Sequence, residues 1–284
     1  MLDRPISPAR RTFTIVMKLL CILSALLVCA LTLFLVGFVL AEGLPNLTWE
    51  LLTTKPSYLS DTIGILPDIL NTVYIIIAAL LIVLPVGAGA AVYLTEYAAN
   101  QRLVSAIEYA AETLSGIPSI IYGLFGMLFF VTAVHWGYSL ISGAFTLAIM
   151  ILPLIMRTTE EALKSVPDPY REASFGLGAG KLRTVFVIVL PSAVPGILAG
   201  VILAVGRIVG ETAALIYTAG TVAQIPMGKD FLFMPGRTLA IHMYALSSEA
   251  LYTNQAYATA VVLLITVLLI NTLSALIARR LTKG

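Results

Sequence analysis

The stretch EASFGLG at Glu172–Gly178, followed by IVLP at Ile188–Pro191, lies between two long apolar runs and guides the interpretation of the whole chain. Its spacing is E-A-S-x3-G-x9-I-x-L-P. The preceding Pro-Asp-Pro at 167–169 breaks one helix and supplies an N-cap for the next, so a short helix is predicted over 171–175, ended by the two glycines. A simple connection between membrane helices needs no such element, whereas a loop that docks into a groove on a separate protein does.

The composition places the chain in a membrane. Of its 284 residues, 59% are hydrophobic and 11% are charged, and the mean hydropathy is +0.98, whereas soluble domains have about 25% charged residues. Six apolar runs are candidates for the roughly 20-residue helices that cross a bilayer. They are Ile15–Ala41, Ile69–Leu94, Leu103–Val134, Ser142–Met156, Ala193–Tyr217 and Tyr252–Ala278. The fourth is short and is expected to extend to Leu140 or to Thr158 and Thr159. The predicted fold class is an all-α polytopic membrane protein with six transmembrane helices.

The basic residues predict the orientation of these helices. Thirteen of the 17 Lys and Arg residues fall in segments on the side of the two termini, and only Lys55, Lys229 and Arg237 fall in the opposite segments. Because basic residues concentrate in cytoplasmic segments, both termini are predicted to be cytoplasmic. The net charge of +2 follows from this topology and gives no reason to propose nucleic-acid binding.

The chain divides at its first external segment. We predict a cytoplasmic tail at 1–14, a first transmembrane helix at 15–41, an external loop at 42–67 and a five-helix core at 68–280, with a cytoplasmic loop at 157–191 and an external loop at 218–251. The apolar stretch that ends at Ala41 is longer than the roughly 7–15 residues of a signal peptide, so the first helix is expected to be retained as a peripheral strap. Cys21 and Cys29 share that helix and have no metal-ligand spacing, so they are interpreted as packing residues.

A second motif, ETLSGIPSIIYGLFG at Glu112–Gly126, presents a small face for close helix packing. It resembles the third helix of phosphate-specific importer permeases, and the first motif resembles the coupling loop of bacterial ABC importer permeases, although Ser174 replaces an alanine. Four further stretches agree with this resemblance, which covers about residues 68–280. They are LTEYA at 94–98, MRTTEEAL at 156–163, GRIVGETAA at 206–214 and RTLAIH at 237–242. The short chain without a large first external loop is similar to the PstA-type subunit.

The resemblance implies a type I ABC importer permease fold with a cytoplasmic coupling helix. It implies that the coupling loop transmits force from an ATPase. The residues carried over to that role are Arg171, Glu172, Ala173, Ser174, Gly178, Ile188, Leu190 and Pro191. It also implies that Arg207 and Glu211 lie on the translocation path.

Arg207 is the strongest candidate site residue by its chemistry. It lies near the middle of the fifth predicted span, where a charge costs at least about 2.5–3.5 kcal/mol and must face protein or water. Its planar donors match phosphate oxygens, and Glu211, one helical turn later, is the nearest available counter-ion. A pair that only braces the helices is the alternative. For Arg157, snorkelling to the interface is a sufficient explanation, and a role at the exit of the path is the second reading.

Three polar residues near the cytoplasmic end of the third span share one helix face: Glu108, Glu112 and Ser115. They are expected to line a wet seam or to pair with basic neighbours, since carboxylates would repel an anion.

The chain lacks the means to hydrolyse ATP. The sequence GAGKL at 178–182 imitates the end of a P-loop, but Phe175 and Leu182 replace the required glycine and Ser or Thr. We therefore predict no catalytic residues, no metal site and no cofactor in this chain, with ATP-Mg bound by a partner. The chain is not expected to be an enzyme.

The predicted function is that of a permease subunit of a high-affinity inorganic phosphate importer in a bacterial inner membrane. The resemblance implies three kinds of protein partner in the lipid bilayer or beside it: a PstC-type second permease, two copies of a PstB-type ATPase and an external PstS-type binding protein. Another oxyanion, such as molybdate or sulfate, is an alternative substrate. An ATP-independent channel or secondary transporter is the alternative of a different class, against which the coupling loop argues.

The external loop at 218–251 has two interpretations. It mixes Lys229, Asp230, Arg237 and Glu249 with apolar residues, and so it is expected either to dock the binding protein or to act only as an outer gate.

Overall fold

The structure is a computed structural model that describes residues 8–56, 63–249 and 252–282, and all of the regular secondary structure in them is helical. The helices are α1 Pro8–Gly43, α2 Trp49–Thr53, α3 Leu66–Val92, α4 Gln101–Ser115, α5 Ser119–Gly126, α6 Leu140–Lys164, α7 Asp168–Gly176, α8 Lys181–Thr184, α9 Leu190–Val209, α10 Ala213–Ile216, α11 Leu239–Glu249 and α12 Thr253–Thr282. π-helical turns at Tyr93–Tyr97 and Met127–Ala133 continue α3 and α5, and a third at Val185–Val189 joins α8 to α9. The predicted all-α class is confirmed.

Five helical segments in the described residues are long and apolar enough to cross a membrane, and a bent pair makes a sixth. The five are Thr12–Asn46, Leu66–Tyr97, Leu140–Lys164, Lys181–Val209 and Thr253–Leu276. The bent pair joins Gln101–Ser115 to Ser119–Ala133 at an angle of 97°. The structure therefore supports six spans, but three of them differ from the sequence prediction.

The third predicted span, Leu103–Val134, is not one straight helix. It breaks between Ser115 and Ser119, because Pro118 disfavours helical backbone at the residue before it and itself starts α5 from an extended conformation. The Tyr122 hydroxyl in α5 donates a hydrogen bond of 2.7 Å to the carbonyl oxygen of Leu114. The same carbonyl accepts a hydrogen bond of 3.1 Å from the backbone N–H of Ile117, so both bonds fix the turn between α4 and α5.

The fifth predicted span, Ala193–Tyr217, has wrong bounds at both ends. Helical backbone begins at Lys181 and ends at Val209, and the separate α10 follows after three residues. The prediction missed the start because Lys181 and Arg183 lower the local hydropathy, although the π-helical turn carries the chain into α9 without a break. α6 is also longer than predicted, since its charged last two turns remain helical with Thr159 and Leu163 buried.

The centre of the bundle is formed by α3, α6 and α9, with α12 packed on α9. Small residues bring α6 and α9 close together. Gly200 lies against Thr158, and Gly196 lies against Ala162, where an added Cβ would be 2.6 Å from the alanine Cβ. The most apolar window of α1 is fully exposed, and α1 packs mainly on α12, as expected of a peripheral strap.

We call the two ends of the bundle the α7 end and the α11 end, after the short helices that lie there. At the α11 end, Arg237 donates from Nε and Nη2 to the two carboxylate oxygens of Asp68, both at 2.9 Å. The Asp68 side chain is fully buried and Arg237 is 14% exposed. The prediction that Arg237 contributes charge to a docking surface is therefore wrong, because its guanidinium holds the predicted loop 218–251 onto the start of α3.

His242 lies beside the Asp68–Arg237 ion pair, which we call the clamp. The structure buries this side chain in α11, with Nδ1 3.6 Å from Asp68. Burial lowers the pKa of the imidazole to about 3, and the positive charge of Arg237 acts in the same direction. His242 is therefore neutral at physiological pH and packs as a polar core residue. The predicted loop is not a simple loop, since it includes α11 and a 3₁₀ turn at Phe231–Phe233.

The contact between α5 and α10 gives a direct test of the broken spans. A Cβ added at Gly123 would lie 2.8 Å from the Cα of Ala214 and 3.3 Å from its carbonyl oxygen. Because both atoms are backbone, Gly123→Ala must separate the two helices, at a cost of about 1–3 kcal/mol. We expect a lower melting temperature of the purified chain in detergent.

Gly89→Ala is the matched control, since Gly89 also lies in a membrane helix but has no atom within 4 Å of an added Cβ. Equal melting temperatures for the two variants would contradict the close packing of α5 on α10.

Candidate functional site

A cavity of about 450 Å³ lies between α4, α6 and α9. It extends from the α7 end of α6 towards the middle of the bundle. Its polar lining comes from all three helices: Glu108, Glu112, Ser115, Arg157, Glu160, Glu161, Lys164 and Arg207. The predicted face of α4 thus lines a polar seam, and two of the three predicted path residues, Arg157 and Arg207, line the same cavity.

Arg207 lies in the last turn of α9 and is exposed, whereas its neighbours Val205 and Ile208 are buried. The contacts of Gly196 and Gly200 with α6 define an antiparallel register. Arg207 lies seven residues after Gly200 on α9, and Ile151 lies seven residues before Thr158 on α6. The register therefore brings Arg207 near the level of Ile151, in the middle of the 25-residue α6. Arg207 therefore lies level with the middle of α6, and its side chain lines the cavity.

The predicted pairing of Arg207 with Glu211 is not present. α9 ends at Val209, so Glu211 does not follow Arg207 by one helical turn. The Glu211 carboxylate instead accepts a hydrogen bond of 3.0 Å from the backbone N–H of Ala214 and caps α10. Among the residues that the structure describes, Arg207 forms no ion pair. Its donors remain available to an anion in the cavity.

Apart from Glu112, the other charged residues of the cavity form ion pairs. Lys164 lies 2.6 Å from the largely buried carboxylate of Glu160 and 3.5 Å from Glu108. Arg157 forms an exposed pair with Glu161 at 3.2 Å, which an anion can displace because an exposed pair contributes only about 0–1 kcal/mol. Sequence reasoning missed Glu160 and Lys164, although their spacing of four residues on a helix was a usable signal.

Both helix breaks border this cavity. α4 ends at Ser115, a lining residue, and α9 ends two residues after Arg207. Non-helical backbone is tolerated at membrane depth only where protein buries it or where it lines a water-filled cavity. The two interruptions that hydropathy failed to predict are therefore associated with this polar cavity.

The predicted coupling helix is confirmed as α7, which begins slightly earlier than predicted. Its end forms a Schellman motif: the N–H of Gly178 donates to the carbonyl of Phe175 at 2.9 Å, and that of Ala179 to the carbonyl of Ser174 at 3.1 Å. Gly178 has a φ of +83°, a backbone conformation that strains other residues. The glycine of the motif is thus required by the turn itself.

The other predicted coupling residues lie in different helical elements. Glu172 and Ala173 belong to α7, while Ile188 lies in the π-helical turn and Leu190 and Pro191 begin α9. They are separated from α7 by a turn and by α8.

Two residues of α7 face inwards. Ser174, at the position where the family motif has alanine, is buried, and its hydroxyl lies 2.8 Å from that of Thr184. Arg171 is only 16% exposed and pairs with Glu96. These side chains hold α7 against the bundle.

Residues 83–284 match the family described as binding-protein-dependent transport system inner membrane component. The chain belongs to this family. It is 36% identical over 262 residues to the probable ABC transporter permease protein YqgI of Bacillus subtilis (strain 168), covering 88% of this chain and 89% of that protein. It is 35% identical over 234 residues, 82% of either chain, to the phosphate transport system permease protein PstA of Pasteurella multocida (strain Pm70).

Solved permeases share the fold at low sequence identity. One is from the bacterial alginate ABC transporter in complex with its alginate pentasaccharide-bound periplasmic protein, with a TM-score of 0.66 at 15% identity over 94% of this chain and 97% of the other. Another is from the inward-facing MetNI methionine ABC transporter, with a TM-score of 0.59 at 24% identity over 77% of this chain and 94% of the other. The chain is a multi-pass permease subunit of an ABC importer with the type I fold, and it is not itself an enzyme.

Proposed function

We propose that this permease forms half of the translocation path of an ATP-driven inorganic phosphate importer. The observation that carries the proposal is the pair of arginines, Arg157 and Arg207, that line one cavity between the helices. The relatives named phosphate transport permeases support the choice of anion. Guanidinium groups present planar, charged donors that match phosphate oxygens.

The two arginines have different parts in this proposal. Arg207 is deep and forms no ion pair in the described part of the chain, so it would take the anion at the middle of the path. Arg157 lies on α6 nearer the α7 end and is already paired with Glu161. It would receive the anion next and exchange its carboxylate partner for phosphate. The acidic residues of the α4 face would then disfavour long residence and promote release.

A second permease completes the path. Exposed positions of α9 follow one face and include Ser192, Ala199, Leu203 and Arg207. A charge on such a face cannot point into lipid without a cost of several kcal/mol. We infer that a homologous permease of the PstC type covers this face and closes the path around the anion.

The ATPase would bind at α7, which we assign to the cytoplasmic side together with both termini. Tyr170, Phe175 and Leu177 are exposed apolar residues on or beside α7, with Leu177 90% exposed. A short helix with such anchors fits the helix-in-groove mode of recognition. Two copies of a PstB-type ATPase, binding ATP-Mg, would then alternate the bundle between inward and outward access by moving this helix and its counterpart.

The external binding protein, of the PstS type, would dock at the α11 end. The exposed residues there include Met227, Lys229, Asp230 and Phe233, while Arg237 is withdrawn into its pair with Asp68. Without Arg237 this surface is smaller than the sequence suggested, and the charges of Lys229 and Asp230 have opposite sign. The side chain of Glu249 lies outside the described residues. A gate without docking remains the second interpretation of the segment.

The first test of the proposal concerns the deep arginine. Arg207→Gln should lower ATP-dependent uptake of labelled phosphate at least about thirtyfold, the equivalent of roughly 2 kcal/mol for loss of the charge-assisted hydrogen bonds to the anion. Arg207→Lys should retain part of the activity, since a point charge cannot reproduce the planar fork. Arg102→Gln is the matched control, because Arg102 is an exposed arginine at the start of α4 and outside the cavity lining. Normal uptake by a correctly assembled Arg207→Gln complex would contradict the path role.

The second test concerns the turn after α7. Gly178→Ala places a side chain at a φ of +83°, which costs about 1–2 kcal/mol and should displace the exposed end of the coupling helix. Phosphate uptake per ATP hydrolysed should fall, while the chain still inserts into the membrane.

Gly176→Ala is the control for the second test, since Gly176 lies at a negative φ with no atom within 4 Å of an added Cβ. If both variants transport phosphate with the wild-type ratio to ATP, the turn geometry has no part in coupling.

A further inference from the structure

Arg171 lies on the coupling helix but does not point towards a partner protein. Its guanidinium uses all five of its N–H donors within this chain. Nε and Nη2 donate to one carboxylate oxygen of Glu96 at 3.2 and 2.8 Å. Nη2 donates to the carbonyl of Leu163 at 2.9 Å, and Nη1 to the carbonyl of Val166 at 2.8 Å and to Asp168 at 3.2 Å. No donor of this side chain is left for an ATPase.

These partners belong to different parts of the bundle. Glu96 is in the π-helical turn at the end of α3, and Leu163 and Val166 are at the end of α6. Leu163 belongs to the last turn of α6, and Val166 lies two residues beyond its last residue, Lys164. The Leu163 carbonyl also accepts a hydrogen bond of 3.2 Å from the backbone N–H of Val166. One side chain of α7 therefore binds the α7 ends of α3 and α6, two of the three central helices.

Burial makes these bonds strong and costly to break. The Glu96 side chain is 9% exposed and the Arg171 side chain is 16% exposed. Charge-assisted hydrogen bonds are about twice as strong as neutral ones, and separating a buried pair leaves an uncompensated charge. By contrast, Asp168 is 84% exposed and belongs to α7 itself, so its bond to Arg171 does not join α7 to another helix.

A second contact ties α7 to the third central helix. The buried hydroxyls of Ser174 and Thr184 lie 2.8 Å apart, and Thr184 is the last residue of α8, which continues into α9 through the π-helical turn. The serine that departs from the family motif therefore has a partner. α7 is held at one point to α3 and α6 and at another to the segment that leads into α9.

We propose that Arg171 is the positioning residue that transmits movement of the coupling helix to α3 and α6, through Glu96 and the carbonyl groups at the end of α6. This inference rests on the proposed ATP-driven function and adds the route by which force leaves α7. Because α6 carries Arg157 and lines the cavity from Pro153 to Lys164, movement of its α7 end changes access to the site. Arg171 itself does not touch the transported anion.

The test uses the complete importer complex in proteoliposomes, with Cys21→Ser and Cys29→Ser as background. In that background, Ala111→Cys places one thiol in the cavity lining, and its reaction with a water-soluble maleimide reports access from the α7 end. Arg171→Lys keeps the positive charge but loses the planar guanidinium, and Glu96→Gln keeps the size of the side chain but loses the negative charge. The matched control is Asp168→Asn, which removes a bond to Arg171 only within α7.

We expect Arg171→Lys and Glu96→Gln to retain the bound ATPase and its basal hydrolysis. The effect of a non-hydrolysable ATP analogue on maleimide labelling, and the phosphate transported per ATP, should both fall about tenfold, within the range typical of coupling between two sites. Asp168→Asn should behave like the wild type. A merely structural role for Arg171 would lower assembly and hydrolysis together, without this separation.

Two results would overturn the inference. One is wild-type labelling and transport ratios in both variants. The other is loss of the ATPase from both purified complexes, which would make the pair a requirement for assembly rather than for transmission. Failure of the proposed function is distinguishable, because a wild-type complex that responds to the ATP analogue but takes up no phosphate would refute the substrate and leave the labelling test intact.

Discussion

The structure depends on the fact that a bilayer core offers no water to polar groups. Backbone amides there must be satisfied within a helix, and charges must face protein or a wet cavity. Most of the chain meets this constraint with uninterrupted helices whose apolar faces pack or meet lipid. In the described part of the chain, three exceptions are prominent: the Asp68–Arg237 clamp at the α11 end, the cavity that holds Arg207, and the Arg171–Glu96 pair at the α7 end.

These exceptions divide the molecule into regions with different functions. The clamp at the α11 end is closed, because the Asp68 carboxylate is buried and bonded to Arg237. The cavity is open and contains an arginine without an ion-pair partner among the described residues, as a transient anion site requires. At the α7 end the charges are again paired, through Arg171 and Glu96, but Arg171 belongs to α7, a helix on the surface of the bundle. A clamp at the α11 end, an open middle and a bonded helix at the α7 end are consistent with a bundle that rocks about its centre.

Sequence reasoning predicted the features that rest on local pattern. Hydropathy predicted the membrane class, and turn chemistry predicted α7 with its terminal Gly178. Arg207 was predicted to be deep because ionisable residues in apolar runs are rare. The breaks after Ser115 and Val209 were not predicted, because hydropathy measures transfer to lipid and is unchanged where a helix bends beside a cavity. Long-range pairs such as Arg171 with Glu96 carry no local signal, and the nearest carboxylate in sequence, Glu211, was wrongly assigned to Arg207.

The most direct test of the account is uptake of labelled phosphate by proteoliposomes that contain the importer complex, with the external binding protein outside and ATP inside. The account predicts uptake that requires ATP, stops with vanadate and is not reduced by excess sulfate or molybdate. Transport of sulfate or molybdate in place of phosphate would contradict the assigned substrate. Phosphate uptake that continues without ATP would contradict the proposed mechanism of coupling through α7.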